Sequence, residues 1–268
     1  MNNKPLVSVI MGVYNVESTL REAIKSIQNQ TYENWELIIC DDGSTDNTYN
    51  TAKIIAKTDS RIKVIKNERN LTLAPTLNKC IAKANGVYTA RMDGDDVCDL
   101  NRFEKEVSFL NSNPEYAVVS SLMYLYDDSG VYGTVNYEEK PNKIDLIKDS
   151  PICHAGCMMR RSVLDELGGY NTSAEVERIE DYDLWVRMYA AGYKAYNIQE
   201  YLYSMRDDRN AIKRKKLKFR ITEFKLKKKM CKEFNLPLKL RLYCLKPLVL
   251  GIIPSFIYSV LHKLKHKG

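Results

Sequence analysis

The chain has 268 residues, 44% apolar and 28% charged, with 41 basic against 34 acidic side chains and a formal net charge of +7. Those values exclude a disordered chain, a collagen-like repeat and a polytopic membrane protein, and the length suits one large domain or one domain with a tail. The charge is split: residues 206–268 hold 19 Lys/Arg and 4 Asp/Glu, a net +15, which leaves residues 1–205 at −8.

In chain order the first half alternates between strand-like and helix-like stretches. Leu6–Met11 is a short β-rich run, and Val16–Asn29 follows with Leu20, Ala23, Ile24 and Ile27 at helical spacing. Glu36–Cys40 is a second apolar run that ends in Asp41-Asp-Gly-Ser44. Ser44 has the chemistry of an N-cap for a helix through Ala56, with Ile54 and Ile55 inward. Ile62–Lys66 reads as a strand, Leu73–Ala84 as a helix and Tyr88–Met92 as a strand leading into Asp93-Gly-Asp-Asp96. Arg102–Asn113 reads as a helix and Ala117–Leu125 as a strand, after which Tyr126–Lys148 weakens into loop and short helix. His154–Arg160 is predicted as a strand, Ser162–Leu167 as a short helix ended by Gly168-Gly169, and Asp181–Ala191 as a helix with Leu184, Trp185 and Met188 on one side.

Strands separated by helices imply βαβ units and a mostly parallel sheet, on which ligands bind at the carboxyl ends of the strands. Asp41-Asp42 and Asp93/Asp95 both lie just past predicted strand ends, so two acidic clusters converge on one crevice. No dinucleotide or P-loop glycine motif follows a strand. Carboxylates two apart at a strand end suit a hard divalent cation that also takes phosphate oxygens, although Asp-x-Asp also occurs in ordinary turns. Asp41-Asp42 can cap the next helix or accept a hydrogen bond from a nucleobase. Glu180-Asp181 can stabilise a helix start or supply a general base, and His154 is either a satisfied buried histidine or an acceptor contact. The seven cysteines form no Cys-x-x-Cys pair, and zinc at Cys153, His154 and Cys157 would need a fourth ligand. Asn2, Asn3 and Lys4 make no basic-then-apolar leader, so a reduced cytosolic compartment is expected.

Taken together and in order, Val7-Ser-Val-Ile-Met-Gly-Val-Tyr-Asn15, Asp41-Asp-Gly-Ser-Thr-Asp46, Ala90-Arg-Met-Asp-Gly-Asp-Asp96 and Glu180-Asp-Tyr-Asp-Leu-Trp185 resemble glycosyltransferase family 2. Cys157-Met-Met-Arg-Arg-Ser-Val-Leu164 followed by Gly168-Gly-Tyr170 is a fifth match, and the resemblance covers roughly residues 5–205. It implies an α/β GT-A fold, a mostly parallel sheet flanked by helices, that binds a nucleotide sugar and inverts its anomeric centre in one displacement. Carried over by position, Val13, Tyr14 and Asn15 would line the base and ribose, Asp42 would bond the base, usually uracil, and Asp41 would support it. Asn70 and Arg91 would border the nucleotide and sugar. Asp93 would reach ribose or sugar and, with Asp95, would hold Mn2+ or Mg2+, Asp95 as the ligand to the ion on the diphosphate. Asp181 would be the catalytic base with Glu180 beside it, and His154 and Trp185 would lie on the acceptor side. Where the family often has glycine after Asn70-Leu71, this chain has Thr72, and Pro75 follows. No Gln-x-x-Arg-Trp is present, so transfer of one sugar at a time is expected.

The expected organisation is a domain over residues 1–205, its nucleotide half at about 1–100 and its acceptor half at about 101–205, followed by a basic amphipathic helical tail over 206–268. Pro247–Leu261 is apolar but broken by Gly251 and Pro254, and is too short for a spanning helix of ~20 residues. An interfacial anchor on anionic lipid fits its charge and length; a charged helix followed by a core-packing helix is the alternative. The expected partners are a UDP-sugar, a polyprenyl-diphosphate-linked saccharide of surface polysaccharide synthesis and the cytoplasmic membrane face. Nucleic acid is not expected, because the acidic body repels phosphate backbones. Rival readings are a nucleotidyltransferase, for which Met11–Asn15 supplies only Gly12, a lipid- or nucleic-acid-binding module using the tail, and a degenerate transferase, against which Asp95 and Asp181 both stand.

Overall fold

The structure is a computed structural model that describes residues 4–207 and 217–253. Its first half comprises β1 (Val7–Val13), α1 (Leu20–Gln28), β2 (Trp35–Asp41), α2 (Thr48–Ala56), β3 (Ile62–Lys66), α3 (Leu73–Ile81) and β4 (Tyr88–Arg91). The second half comprises β5 (Val97–Cys98), α4 (Arg102–Ser112), β6 (Tyr116–Asp127), β7 (Gly130–Val135), α5 (Asp145–Lys148), β8 (Met158–Arg160), α6 (Arg161–Glu166), α7 (Glu180–Ala190) and β9 (Lys194–Arg206). Three short helices follow: α8 (Leu217–Glu233) is the longest, then α9 (Leu238–Arg241) and α10 (Lys246–Ile252).

Among the described residues one sheet of nine strands runs β3-β2-β1-β4-β8-β6-β9-β5, with β7 paired to β6. The first four strands are parallel, β8 runs antiparallel between β4 and β6, and β6 and β9 are parallel to each other. Strand β2 is buried along its whole length, as expected of a central strand covered on both faces. Leu20, Ala23, Ile24 and Ile27 of α1 are all buried on one side of the sheet; each large aliphatic chain so placed contributes about 1.5–3 kcal/mol. Leu184, Trp185 and Met188 of α7 fill the core on the opposite side, as their spacing predicts.

The structure corrects several local expectations. Helix α2 begins at Thr48, so Ser44 is not its cap, and Ile54 points outward at 55% exposure while Thr48, Thr51 and Ala52 face inward. The predicted strand over His154–Arg160 shrinks to Met158–Arg160, and Tyr126–Lys148 contains the end of β6 and the hairpin partner β7. Strand β9 has no counterpart in the predicted elements. Its apolar alternation is broken by Gln199-Glu200, where the register with β6 also slips.

The basic segment that follows is part of the same core where it is described. Leu226, Met230 and Cys231 of α8 pack against α5 and α7, and Cys244 joins them. Lys227, between them, is 1% exposed and donates to the Ile147 carbonyl at 3.0 Å. Residues 254–261 of the expected apolar stretch and the basic stretch at 262–267 lie outside the described residues.

Candidate active site

The carboxyl ends of β1 and β2 are laced together by their following loops. Asn15 stands at φ +53, a left-handed conformation that Asn tolerates better than most residues. Its amide donates to Ser44 Oγ at 3.0 Å, and its Oδ1 accepts from the Thr45 amide at 2.9 Å. The Val16 amide donates to Thr48 Oγ1 at 2.9 Å. The polar residues after Asp42 therefore tie two loops together, which is why Ser44 is not available as a helix cap. Gly43 is at φ +74, and a Cβ there would stand 2.7 Å from the Arg69 backbone, so the turn that aims Asp42 requires glycine.

Asp41 and Asp42 differ sharply. Asp42 is 4% exposed, and its Oδ1 accepts from Asn67 Nδ2 at 2.7 Å and from the Leu71 amide at 2.8 Å. Asp41 is fully buried; its Oδ1 accepts from the Ser44 amide at 3.1 Å and its Oδ2 has no partner. Asn70 is exposed and its Oδ1 accepts from the Thr72 amide at 3.1 Å. Thr72 lies at φ 75, ψ 174, a region otherwise occupied almost only by glycine. The glycine-type backbone of the family is thus kept here by a threonine.

At the end of β4, Arg91 is 2% exposed and its Nη2 donates to Asp93 Oδ1 at 2.6 Å, while its Nε and Nη1 have no partner. Burial opposes the charge of Arg91, but Asp93, Tyr170 and Tyr203 together outweigh it and keep the guanidinium protonated. The Tyr203 hydroxyl on β9 accepts from the Asp93 amide at 3.3 Å and donates to Asp96 Oδ2 at 2.7 Å, and the Arg206 amide donates to Asp96 Oδ1 at 2.8 Å. Asp96 is the buried anchor of this turn. Asp95, by contrast, forms no ion pair among the described residues, and burial together with the Asp93 charge pushes its carboxyl up to about 6. Gly94 allows the turn to lie on β1, since a Cβ would meet Val13 Cγ1 at 2.7 Å.

The second half contributes α7. Burial raises the carboxyls of Glu180 and Asp181 above their ordinary values, and the positive charge of Arg91 is near enough to pull that of Asp181 partly back. His154 Nε2 lies 2.8 Å from the Tyr170 hydroxyl, and its ring meets Trp185 edge-on at 6.0 Å. Burial and then the Arg91 charge push His154 well below the usual imidazole range, so it is neutral. Trp185 is fully buried with its Nε1 unpartnered. Cys153 and Cys157 are buried thiols pushed up by burial, and the described residues hold no group of three or more His, Cys, Asp or Glu placed for a metal.

One cavity of about 220 Å3 joins the two halves. Val13, Tyr14, Asp42, Asn70 and Thr72 line one wall, and Glu177, Arg178 and Glu180 line the other. Asn15 and Asp41 support this wall from behind, whereas Arg91, Asp93, Asp95, His154, Asp181 and Trp185 do not line the cavity. A second cavity of about 200 Å3 shares Thr72, Glu177 and Glu180 and is bordered by Asn171, Thr172 and Ser173. Sequence reasoning singled out Thr72 as a departure from glycine but missed Glu177, Arg178 and Tyr203, which depend on a strand and a turn that local pattern does not reveal.

The chain matches the family model "Glycosyl transferase family 2" over residues 8–168. It is 43% identical over 264 residues to EpsE of Bacillus subtilis (strain 168), a provisionally named glycosyltransferase, across 98% of this chain and 95% of that protein. It is 34% identical over 184 residues, 68% of each chain, to WfgD of Escherichia coli, named a UDP-Glc:alpha-D-GlcNAc-diphosphoundecaprenol beta-1,3-glucosyltransferase. In fold it is similar to the mannosyltransferase PcManGT of Pyrobaculum calidifontis, solved with GDP-Man and Mn2+, at a TM-score of 0.65 and 17% identity over 97% of this chain and 80% of that one. The curled α/β sheet with flanking helices is the GT-A architecture that the motifs imply.

Proposed function

The chain belongs to glycosyl transferase family 2, and on that premise we propose that it transfers a hexosyl unit from a UDP-sugar to a hydroxyl of a lipid-linked saccharide, with inversion, in surface polysaccharide synthesis. The observation that carries this reading is the cavity in which Val13, Tyr14, Asp42 and Asn70 face Glu180. Residues from strand ends of the nucleotide half and from the first turn of α7 meet there, as a donor site beside an acceptor site requires. The name of WfgD, with a UDP-sugar donor and a diphosphoundecaprenol acceptor, supports the substrate classes.

In this reading Asp42, fixed by Asn67 and the Leu71 amide, presents its carboxylate to the base, and Tyr14, 45% exposed, offers a ring beside it. Asp95 fits a hard divalent cation: it is a carboxylate outside any described ion pair, next to a second carboxylate and only partly buried. Asp95, with Asp93 beside it, would hold Mn2+ or Mg2+, and such an ion supplies Lewis-acid stabilisation to a diphosphate leaving group. Asp181 takes the proton of the attacking hydroxyl, and burial, by raising its carboxyl above the ordinary aspartate range, makes it a stronger base. Glu180 borders the acceptor, while His154 and Trp185 shape the ground behind it. No covalent nucleophile is needed for a single in-line displacement.

The described residues contain no helix long and apolar enough to cross a membrane. Leu238, Leu242 and Ile252 are 78%, 67% and 76% exposed among Lys239, Arg241 and Lys246, which supports peripheral contact of residues 206–268 with an anionic cytoplasmic membrane face. Equal partition to anionic liposomes of the wild type and a chain carrying Leu238→Glu, Leu242→Glu and Ile252→Glu, which keeps the core contacts of α8, would defeat that contact.

The donor half is tested by calorimetric binding of UDP, GDP, CDP and dTDP, with and without Mn2+, to the wild type and Asp95→Ala. Selective UDP binding that requires metal and weakens in the variant is expected. Metal-independent binding, or no preference for UDP, would remove the roles given to Asp42 and Asp95.

A further inference from the structure

We propose that Arg178 is a diphosphate-binding residue of the donor site, an assignment that rests on the nucleotide-sugar reading of the cavity. Arg178 lines that cavity opposite Asp42, Asn70 and Thr72. It is exposed, and among the described residues no ion pair engages its guanidinium. The other charged residues of the lining, Asp42, Glu177 and Glu180, are all acidic. Glu177 is answered by Lys218, and the divalent ion proposed at Asp95 lies off this wall. On the wall itself Arg178 is therefore the cation that offsets Asp42 and Glu180 for an entering diphosphate. A guanidinium does so in the best geometry, because its planar fork matches two phosphate oxygens at once.

The backbone points the same way. Arg178 stands at φ +69, a left-handed conformation that strains a non-glycine residue. That conformation sends three consecutive side chains to three places. Glu177 pairs with Lys218 of α8 at 3.3 Å, Ile179 is buried in the core, and Arg178 is left on the cavity wall. Glycine would make the same turn without the strain. Retaining arginine there keeps a charge at the expense of stability, and such strain gathers at ligand sites.

The test uses the full chain in the presence of Mn2+, with UDP, UMP and uridine as probes and with Arg178→Gly, Arg178→Ala and Arg178→Lys as variants. The Gly variant is expected to weaken UDP binding at least tenfold, to leave uridine binding unchanged, and to melt above the wild type when free of ligand. The Lys variant should fall between the wild type and Ala for UDP. Wild-type UDP affinity in the Gly and Ala variants would overturn the assignment, as would equal weakening for UDP and uridine. A defect confined to the KM of a lipid-linked acceptor would also overturn it, by moving the contact to the acceptor's own diphosphate. A wild-type chain that binds none of the probes fails the donor reading itself, a result separate from any ranking of the variants.

Discussion

The two acidic turns, Asp41-Asp42 after β2 and Asp93–Asp96 after β4, look alike in sequence and are built in opposite ways. In the first, the carboxylate on the cavity, Asp42, is held by two donors, and its buried neighbour Asp41 keeps one oxygen unpartnered. In the second, the buried member Asp96 is satisfied by Tyr203 and the Arg206 amide, and Asp95 is left outside any described ion pair beside another negative charge. A pre-satisfied carboxylate is a rigid recognition element. One that no described ion pair engages, set beside a like charge, is suited to take a cation. The difference separates a turn whose cavity-facing carboxylate is fixed by donors from one whose carboxylate stands beside a like charge, and in the proposed function these read the base and hold the cation.

The sharpest way to break this comparison is Asp95→Asn. Glycosyl transfer should fall on the order of 10³-fold, the scale for losing one electrostatic stabiliser of a developing charge. Ligand-free thermal stability should not fall, because an unpaired carboxylate beside Asp93 is removed. Asp42→Ala should do the reverse. It strands the Asn67 and Leu71 donors and should lower stability by about 1–3 kcal/mol in denaturant melts, while weakening UDP binding. If both variants lost stability alike, the distinction between the turns would be gone. Tyr203→Phe takes the donor from Asp96 and should cost about 1–2 kcal/mol, with activity reduced through the loosened turn. Thr72→Gly is the mildest change; relief of its φ should raise stability by about 1 kcal/mol, measured by thermal melts.

A pH profile addresses the base. Burial raises the carboxyl of Asp181, so the group is protonated, and unable to accept a proton, up to a pH above the ordinary aspartate range. The kcat/KM of the wild type should therefore rise with pH through that raised pKa, and Asp181→Asn should abolish activity and with it the limb. An activity already at its maximum at pH 4 would exclude Asp181 as the base.

Much of the first half was legible because its elements are local. The 3-4 spacing in α1 and the apolar runs of β1 to β4 each sit within a dozen residues, and the loops after them carry the motifs. That Asp42 and Asp95 stand just past the ends of β2 and β4 could be read from the apolar runs alone. What anchors them could not. Tyr203 reaches Asp96 across 107 residues, on a strand whose alternation is broken by Gln199-Glu200. Arg178 reaches the cavity only because its backbone turns left-handed. The net +15 of residues 206–268 drew attention to lipid, while Leu226, Met230 and Lys227 lie in the core; composition cannot tell which face of a basic helix is inward.

The pairing of β6 with β9 also bears on how the protein is made. Residues 116–127 wait for 194–206 before the sheet closes, and non-local parallel pairing of this kind is slow to form. During synthesis the strands β1 to β4 can assemble early, but the turn at Asp93–Asp96 stays without Tyr203 and the Arg206 amide until β9 has emerged from the ribosome. The nucleotide half would thus be shaped first and the charge-holding turn last, so a nascent chain stalled before β9 would hold a folded half-site without a competent one.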